Sequence, residues 1–535
     1  MKDGKKLTYV SLDDDEYIHE DYERALETVR PDLGRSHPLH VGEEEIYSQP
    51  EFEVRAPFYT SILVGKFQTA TPGLIRSAIV AAKQEFPSWS EKGWKDRVKI
   101  LRRTATILEK EKFLLAALIT YEAGKNRSEA IAEVSEAIDM IRYHATVYTK
   151  NKGYDIPLQS DSPTTRCTSV MRSHGTWAII SPFNFPLSLA AGMAAGALIC
   201  GNTILLKPTS EAPFSCLKLY ETFVGAGVPA GAVHYLTGPG GTFGDVITAH
   251  PGIDGIAFTG SRDIGIWLQR RFSERQPYPK PVIAEMGSKN PVIVTAAADI
   301  TKAAEGIARS AFGYGGQKCS ATSRVYVHPA VFEPFTRALK AKAESLVVGD
   351  PRDRGVFMGP LIDAKAKDRF AEIVARVRRD GGRFISGGEP VNEDRFAKGY
   401  FVRPAIVTGL NPGSPLIKKE LFVPFVIVEP CPTLEQAIIE ANDTDFGLTA
   451  GIFSEDPGEV EYFFSTIQSG VTYANRRGGA TTGAWPGMQP FGGWKASGST
   501  GKGVGGPYYL LSYLREQART RVYENAPVPK NTSTL

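Results

Sequence analysis

Between Gly175 and Glu285, short runs of aliphatic and β-branched residues alternate with stretches of helical character. The runs are GTWAIIS, TILLKP, VHYLTG, GIAFTG and PVIAEMG, with an Ala-rich stretch after the first and a helix opening at Pro213 after the second. Short apolar runs bounded by Gly, Pro or Ser suit buried strands, and their alternation with helices predicts a parallel, doubly wound sheet. The rhythm restarts at PVIVT, passes through a helix from Asp299, SRVYVHP and helices to Arg378, and closes with FVIVEP, AGIFS and VTYAN. A second α/β domain is therefore expected over 286–475. Upstream, 1–150 reads as an acidic helical leader followed by amphipathic helices such as Lys95–Lys110 and Lys112–Ala123, packed on the outside of a sheet. The first domain is assigned 1–150 and 173–285. The stretch from Lys150 to Arg172 lapses into Gly, Pro, Ser, Thr and Asp, as in a hairpin that reaches a neighbouring subunit.

One stretch, Leu187 to Leu206, is weakly polar over about the length that crosses a bilayer. It carries Ser188, a Gly-Asn break at Gly201-Asn202 and then a β-like run, so a buried helix, a turn and a central strand describe it better. The chain of 535 residues has room for two or three domains. Apolar residues are 42%, charged residues 23% and the formal net charge is +3, which advertises neither nucleic acid nor acidic membranes. Five cysteines with no CxxC pair suggest no disulfide framework and no zinc site, and a reducing, cytoplasmic setting fits them. The first twenty residues run into Asp13, Asp14, Asp15 and Glu16 without an apolar stretch, so no signal peptide is expected.

Four constellations carry candidate chemistry. Gly315 to Ser320 (GGQKCS) sets one thiol, Cys319, in a glycine-rich approach where a planar substrate and a cofactor ring can both reach the sulfur, and Lys318 offers charge that favours thiolate. A lone cysteine is otherwise an inert buried residue. Glu285 closes the strand PVIAE; carboxyl ends of parallel strands gather ligands, although a helix cap or surface ion pair is the plainer reading. Asn184, in SPFNFP at another strand end, is an amide donor suited to a developing oxyanion, or an Asx turn capping the next helix. Lys207 and the turn Phe258 to Ser261, at the ends of TILLKP and GIAFTG, suit the ribose and phosphates of a dinucleotide, without the GxGxxG fingerprint.

In this order, SPFNFP, LLKPTSEAP, FTGS, AEMGSKN, GQKCSA, KELFVPF and QPFGGWKASG resemble the aldehyde dehydrogenase superfamily over most of the chain, with Glu285 and Cys319 at the family's spacing of 34 positions. The resemblance implies a fold of two doubly wound parallel-sheet domains, dinucleotide-binding and catalytic, with a small oligomerisation extension from 151–172 and 495–535. It makes Cys319 the nucleophile, Asn184 and the Cys319 N–H the oxyanion hole, and Glu285 the base. Lys207 corresponds to the lysine at the adenosine ribose, Ser261 to the pyrophosphate contact, and Glu420 with Phe422 to the pair at the nicotinamide; Ser181, Phe183 and Gly260 fall on the same cofactor-binding stretches. Ser210, with Glu211 beside it, stands where NAD-preferring members place a ribose-binding glutamate, so NADP is admitted beside NAD.

A closer resemblance is to the branch that oxidises glutamate semialdehyde, the 1-pyrroline-5-carboxylate dehydrogenases of proline degradation. It rests on GRSHPLHVG, EAGKN, EVSEAIDMI, GQKCSA, TTGAWPGMQPFGG and SGSTGKGVGGPYYL, while WPGMQ and the tail depart from the usual pattern. It implies substrate contacts from Glu136, Phe185, Ser320, Phe491 and the backbone of Gly483-Ala484, no metal, a homo-oligomer, and a proline oxidase as candidate partner. Another semialdehyde, such as succinic semialdehyde, is the alternative substrate. A papain-like hydrolase lacks a histidine in a matching motif, and a non-catalytic scaffold would be expected to have lost Cys319, Glu285 or Asn184.

Overall fold

Alternate residues of the central strands bury themselves on opposite faces of two sheets, which is what continuous apolar runs require. The computed structural model describes residues 16–47, 50–389, 391, 393–479 and 485–523. The first sheet contains β1 (Leu39–Val41), β2 (Glu44–Ile46), β3 (Thr176–Ile180), β4 (Thr203–Lys207), β5 (Val233–Tyr235), β6 (Gly255–Thr259) and β7 (Val282–Glu285), in the order β7-β6-β3-β4-β5-β1-β2. Trp177, Ile179, Ile204 and Leu206 enter one apolar cluster, while Ala178, Leu205, Ile256 and Phe258 enter another behind the sheet. Helices therefore cover both faces.

The second sheet contains β8 (Asn290–Val294), β9 (Thr322–Val327), β10 (Arg383–Ser386), β11 (Ala405–Thr408), β12 (Phe425–Pro430), β13 (Thr449–Phe453) and β14 (Val471–Ala474), in the order β10-β11-β12-β9-β8-β13-β14. Val292, Val325 and Val426 pack on one side, Ile293, Tyr326 and Ile452 on the other. Only Met286, Gly287, Ser288 and Lys289 join β7 to β8, so the two sheets meet where Glu285 ends.

The pattern assigns helices to 1–150, and the structure adds strands there: Ser36–His37, β1, β2, Glu51–Arg55 and Leu63–Gln68 precede the helices Pro72–Glu91, Trp94–Lys110, Lys112–Ala123 and α1 (Arg127–Lys150). These strands are too short for a period of two to register against their polar flanks. β1 runs antiparallel to β5, and β10 antiparallel to β11, so each parallel sheet carries an antiparallel edge. Leu187 to Leu206 forms α2 (Ser188–Ile199), a turn at Gly201 with φ +85° and the buried strand β4. Among the described residues no helix is long and apolar enough to cross a membrane. Asp155–Pro157, Thr165–Ser173 and Leu514–Val522 form a separate antiparallel sheet, in which the last strand is exposed beyond Leu514.

Candidate active site

Parallel register lines up the carboxyl ends of four strands. Thr259 pairs with Glu285, Phe258 with Ile180 and Ile180 with Lys207, so Glu285, Thr259, the start of SPFNFP and Lys207 form one row. Cys319 reaches this row from the second sheet. It lies in the turn between the helix Ile300–Phe312 and β9, and the approach is tightly wound: Tyr314, Gly315 and Gly316 have φ of +50°, +62° and +66°. A side chain on Gly316 would meet Val423 O at 2.3 Å, which requires glycine there whatever the conformation. Gln317 pins the turn, its amide oxygen accepting from Ile362 N–H at 2.9 Å.

Cys319 lines two cavities. The larger, of about 570 Å³, is walled by Ser181, Phe183, Asn184, Lys207, Gly260, Ser261, Glu420 and Phe422 among others. The smaller is a narrow apolar recess of about 20 Å³, walled by Glu285, Met193, Phe491 and Tyr509. The sulfur is thus reached from two directions, one roomy and one tight. Burial, then the negative fields of Glu420, Glu285 and Glu136, pushes the thiol up to about 12. Lys318 does not counter this: its ammonium is held 2.6 Å from both oxygens of Glu129, so the expectation that it favours thiolate is corrected.

Glu285 Oε2 accepts one hydrogen bond, from Gly493 N–H at 3.1 Å. Burial pushes its carboxyl up to about 8, so a share of it ionises near neutral pH, as a base for water requires. The segment bearing Gly493 is tied along β7: Met286 N–H donates to Ser497 O, Ser499 N–H to Ala284 O, and Ala284 N–H to Ser499 Oγ. The motif QPFGGWKASG therefore builds the wall behind Glu285.

In the larger cavity two helix amino termini face inward, those of Gly240–Ala249 and Arg262–Arg275, and neither has a side-chain cap. Gly240 and Gly241 leave open space where a Cβ would stand. Uncapped N–H groups and bare glycines are what a pyrophosphate needs. Lys207 is buried, its Nζ donating to Pro208 O at 2.8 Å, and burial lowers it to about 8. Glu420 accepts from Ser288 N–H at 2.8 Å and is raised by burial to about 7. Phe422 has φ +57°, a strained conformation for a phenylalanine, and its ring meets Phe183 edge-on at 5.9 Å. The donor set and shape fit a dinucleotide laid from Lys207 to Cys319.

The aldehyde dehydrogenase family model matches residues 46–518. The chain belongs to the aldehyde dehydrogenase family. It is 36% identical over 502 residues to the 1-pyrroline-5-carboxylate dehydrogenase of Geobacillus sp. (strain WCH70), covering 93% of this chain and 95% of that protein. Among solved structures it is similar to a 1-pyrroline-5-carboxylate dehydrogenase from Thermus with bound NAD, at 31% identity and TM-score 0.92, covering 98% of this chain and 100% of that one. It is also similar to proline utilization A (PutA) from Bdellovibrio bacteriovorus, at 31% identity and TM-score 0.91; 97% of this chain matches, spanning 53% of that longer chain.

Within this aldehyde dehydrogenase, the residues singled out in the sequence fall into three groups. Cys319, Asn184, Ser181, Phe183, Lys207, Gly260, Ser261, Glu420 and Phe422 share the large cavity, and Glu285 and Phe491 share the recess with Cys319. Ser210, Ser320, Phe185 and Glu136 lie near but off these walls: Ser210 Oγ donates to Gly238 O at 3.2 Å, Thr209 lining the cavity instead, and the Phe185 ring carries the Lys125 ammonium 3.6 Å from its centroid. Gly483 and Ala484 lie outside the described residues. Two residues escaped the sequence reading. Asn290 Nδ2 donates to Cys319 O at 2.7 Å and to Ala321 O at 2.9 Å, fixing the turn that bears Cys319. Gly493 supplies the N–H that holds Glu285; its glycine pair was visible, its partner 208 positions away was not.

Proposed function

We propose that this chain oxidises L-glutamate γ-semialdehyde, in equilibrium with 1-pyrroline-5-carboxylate, to L-glutamate with NAD, as a step of proline degradation. The observation that carries the reaction is Cys319 standing between a dinucleotide-sized cavity and a recess that holds one perturbed carboxylate. Cys319 Sγ gives up its proton to water and attacks the aldehyde carbon as thiolate, and the carbonyl electron pair moves to the oxygen, giving a thiohemiacetal alkoxide held by Asn184 and the Cys319 N–H, worth about 3–4 kcal/mol per donor. NAD, when bound, supplies the hydride acceptor that turns the thiohemiacetal into a thioester. Glu285 then takes a proton from water as the water attacks the thioester, and the recess keeps that carboxylate clear of bulk solvent. Release of glutamate returns the sulfur to its thiol form.

The substrate assignment rests on the similarity to 1-pyrroline-5-carboxylate dehydrogenases and on Gly483-Ala484, which match in sequence the pair expected to receive the substrate carboxylate. Trp485, immediately after them, donates its Nε1–H to Asp139 Oδ2 at 2.8 Å on the helix that carries Glu136. We assign 1–150 with 173–285 to dinucleotide binding and 286–475 to catalysis. The extension formed from 151–172 and 495–535 is assigned to homo-oligomerisation, in a cytoplasmic enzyme fed by a proline oxidase. Steady-state comparison of aldehydes with NAD and NADP tests the reading. The semialdehyde should exceed aldehydes lacking the carboxylate by at least about tenfold in kcat/KM, with NAD ahead of a measurable NADP rate. A better kcat/KM for succinic semialdehyde or propanal overturns the substrate.

A further inference from the structure

Beneath the oxyanion loop lies a buried ionic cluster that the mechanism above does not use. Lys125 and Glu133 are both fully buried and paired at 2.6 Å. Glu133 turns its other oxygen to the start of α2, where Oε1 accepts from Leu187 N–H at 2.9 Å and from Ser188 N–H at 3.3 Å. The helix has no cap of its own, its N-cap Leu187 being apolar, so a carboxylate from a neighbouring helix supplies the missing acceptor for two buried donors. Asn184, Phe185 and Pro186 are the residues just before those two N–H groups. The Lys125 ammonium sits 3.6 Å from the Phe185 ring centroid, and Lys318, next to Cys319, lies 5.9 Å from the same ring. One carboxylate and one ammonium thus clamp the oxyanion loop from its carboxyl end and from beneath its aromatic residue.

We propose that Glu133 is a positioning residue for Asn184: by capping α2 from outside and anchoring Lys125 under Phe185, it fixes the amide donor at the place where the alkoxide forms. This rests on the reading of Asn184 as an oxyanion donor. Glu133 touches neither substrate nor cofactor in this account, so its loss slows the step in which the alkoxide develops and leaves cofactor affinity alone.

The test pairs substitutions so that no buried charge is left alone. Glu133→Leu with Lys125→Met removes both charges and the acceptor; Glu133→Gln with Lys125→Met removes both charges and keeps an acceptor for Leu187 and Ser188. The pre-steady-state burst of reduced cofactor is measured with saturating NAD, alone and combined with Asn184→Ala. The leucine pair should slow the burst about tenfold with KM for NAD within twofold, the glutamine pair should recover most of that rate, and the leucine pair should add less than twofold in the Asn184→Ala background. An equal slowing with and without Asn184, or a glutamine pair no faster than the leucine pair, overturns the proposal. If the leucine pair does not fold, Glu133→Asp is read in the same cycle, where coupling to Asn184 supports the proposal and additivity overturns it. An Asn184→Ala enzyme with an unchanged burst would instead remove the oxyanion reading, and this proposal with it.

Discussion

Glu285 and Glu133 are two carboxylates withdrawn from bulk water in one molecule, and they are treated in opposite ways. Glu133 has a lysine at 2.6 Å and two backbone N–H donors; Glu285 has the Gly493 N–H, and no cation figures among the groups that shift it. The first ties a helix start to its neighbour. The second is raised to about 8 and left able to exchange a proton near neutral pH. Burial raises the Glu285 carboxyl and the Gly493 N–H offsets this only in part, whereas Glu133 is met by a lysine and two backbone donors.

The largest effect expected concerns the Cys319 sulfur that shares the recess with Glu285. Cys319→Ser should lower turnover by about 10⁴-fold or more while cofactor binding, read by fluorescence titration, is kept, because a hydroxyl is a far weaker nucleophile. Near-normal turnover would leave Glu285 with no thioester to hydrolyse. Next in size, Glu133→Ala should cost about 3–5 kcal/mol in denaturant unfolding, since it strands the Lys125 ammonium and two N–H donors in the interior. A loss under about 1 kcal/mol would break the comparison, because Glu133 would then be no more structural than Glu285.

A smaller effect separates the two carboxylates by pH. The folded-state value of Glu285 lies above its ordinary value of 4.5, so between pH 4.5 and about 8 the folded state binds more protons than the unfolded one. Stability contributed by the protonated acid is full below the unfolded value and is lost as pH rises through about 8. Glu285→Gln cannot suffer that loss. Its melting temperature should match the parent at pH 5 and exceed it at pH 9, by an amount corresponding to at most a few kcal/mol. A constant difference across this range would mean that Glu285 is not held in a desolvated recess.

The placement of these residues at strand ends was legible in the sequence because the parallel sheet makes it so: an apolar run that stops at Glu285 or Lys207, or just short of SPFNFP, announces where the row of carboxyl ends lies. The second sheet and the buried α2 were legible for the same reason. What was not legible lies in pairings across the chain. Lys318 sits beside Cys319 in sequence, yet its charge goes to Glu129, 189 positions away. Gly493 meets Glu285 across 208 positions, and Glu133 meets Leu187 across 54. No local period encodes such partners. The short strands before Pro72 were missed because two to six residues carry too little alternation to tell from a loop.

Whether Glu285 hydrolyses an acyl-Cys319 is read by mixing Glu285→Gln with NAD and L-glutamate γ-semialdehyde in a stopped-flow instrument and following reduced cofactor, then mapping the quenched protein by mass spectrometry. With Glu285 as the hydrolytic base, the variant should give a burst approaching one equivalent per site, steady-state turnover lower by about 10²–10⁴-fold, and an acyl adduct on the peptide that carries Cys319. Turnover that continues at the parent rate, or a stall with neither burst nor adduct, would contradict it.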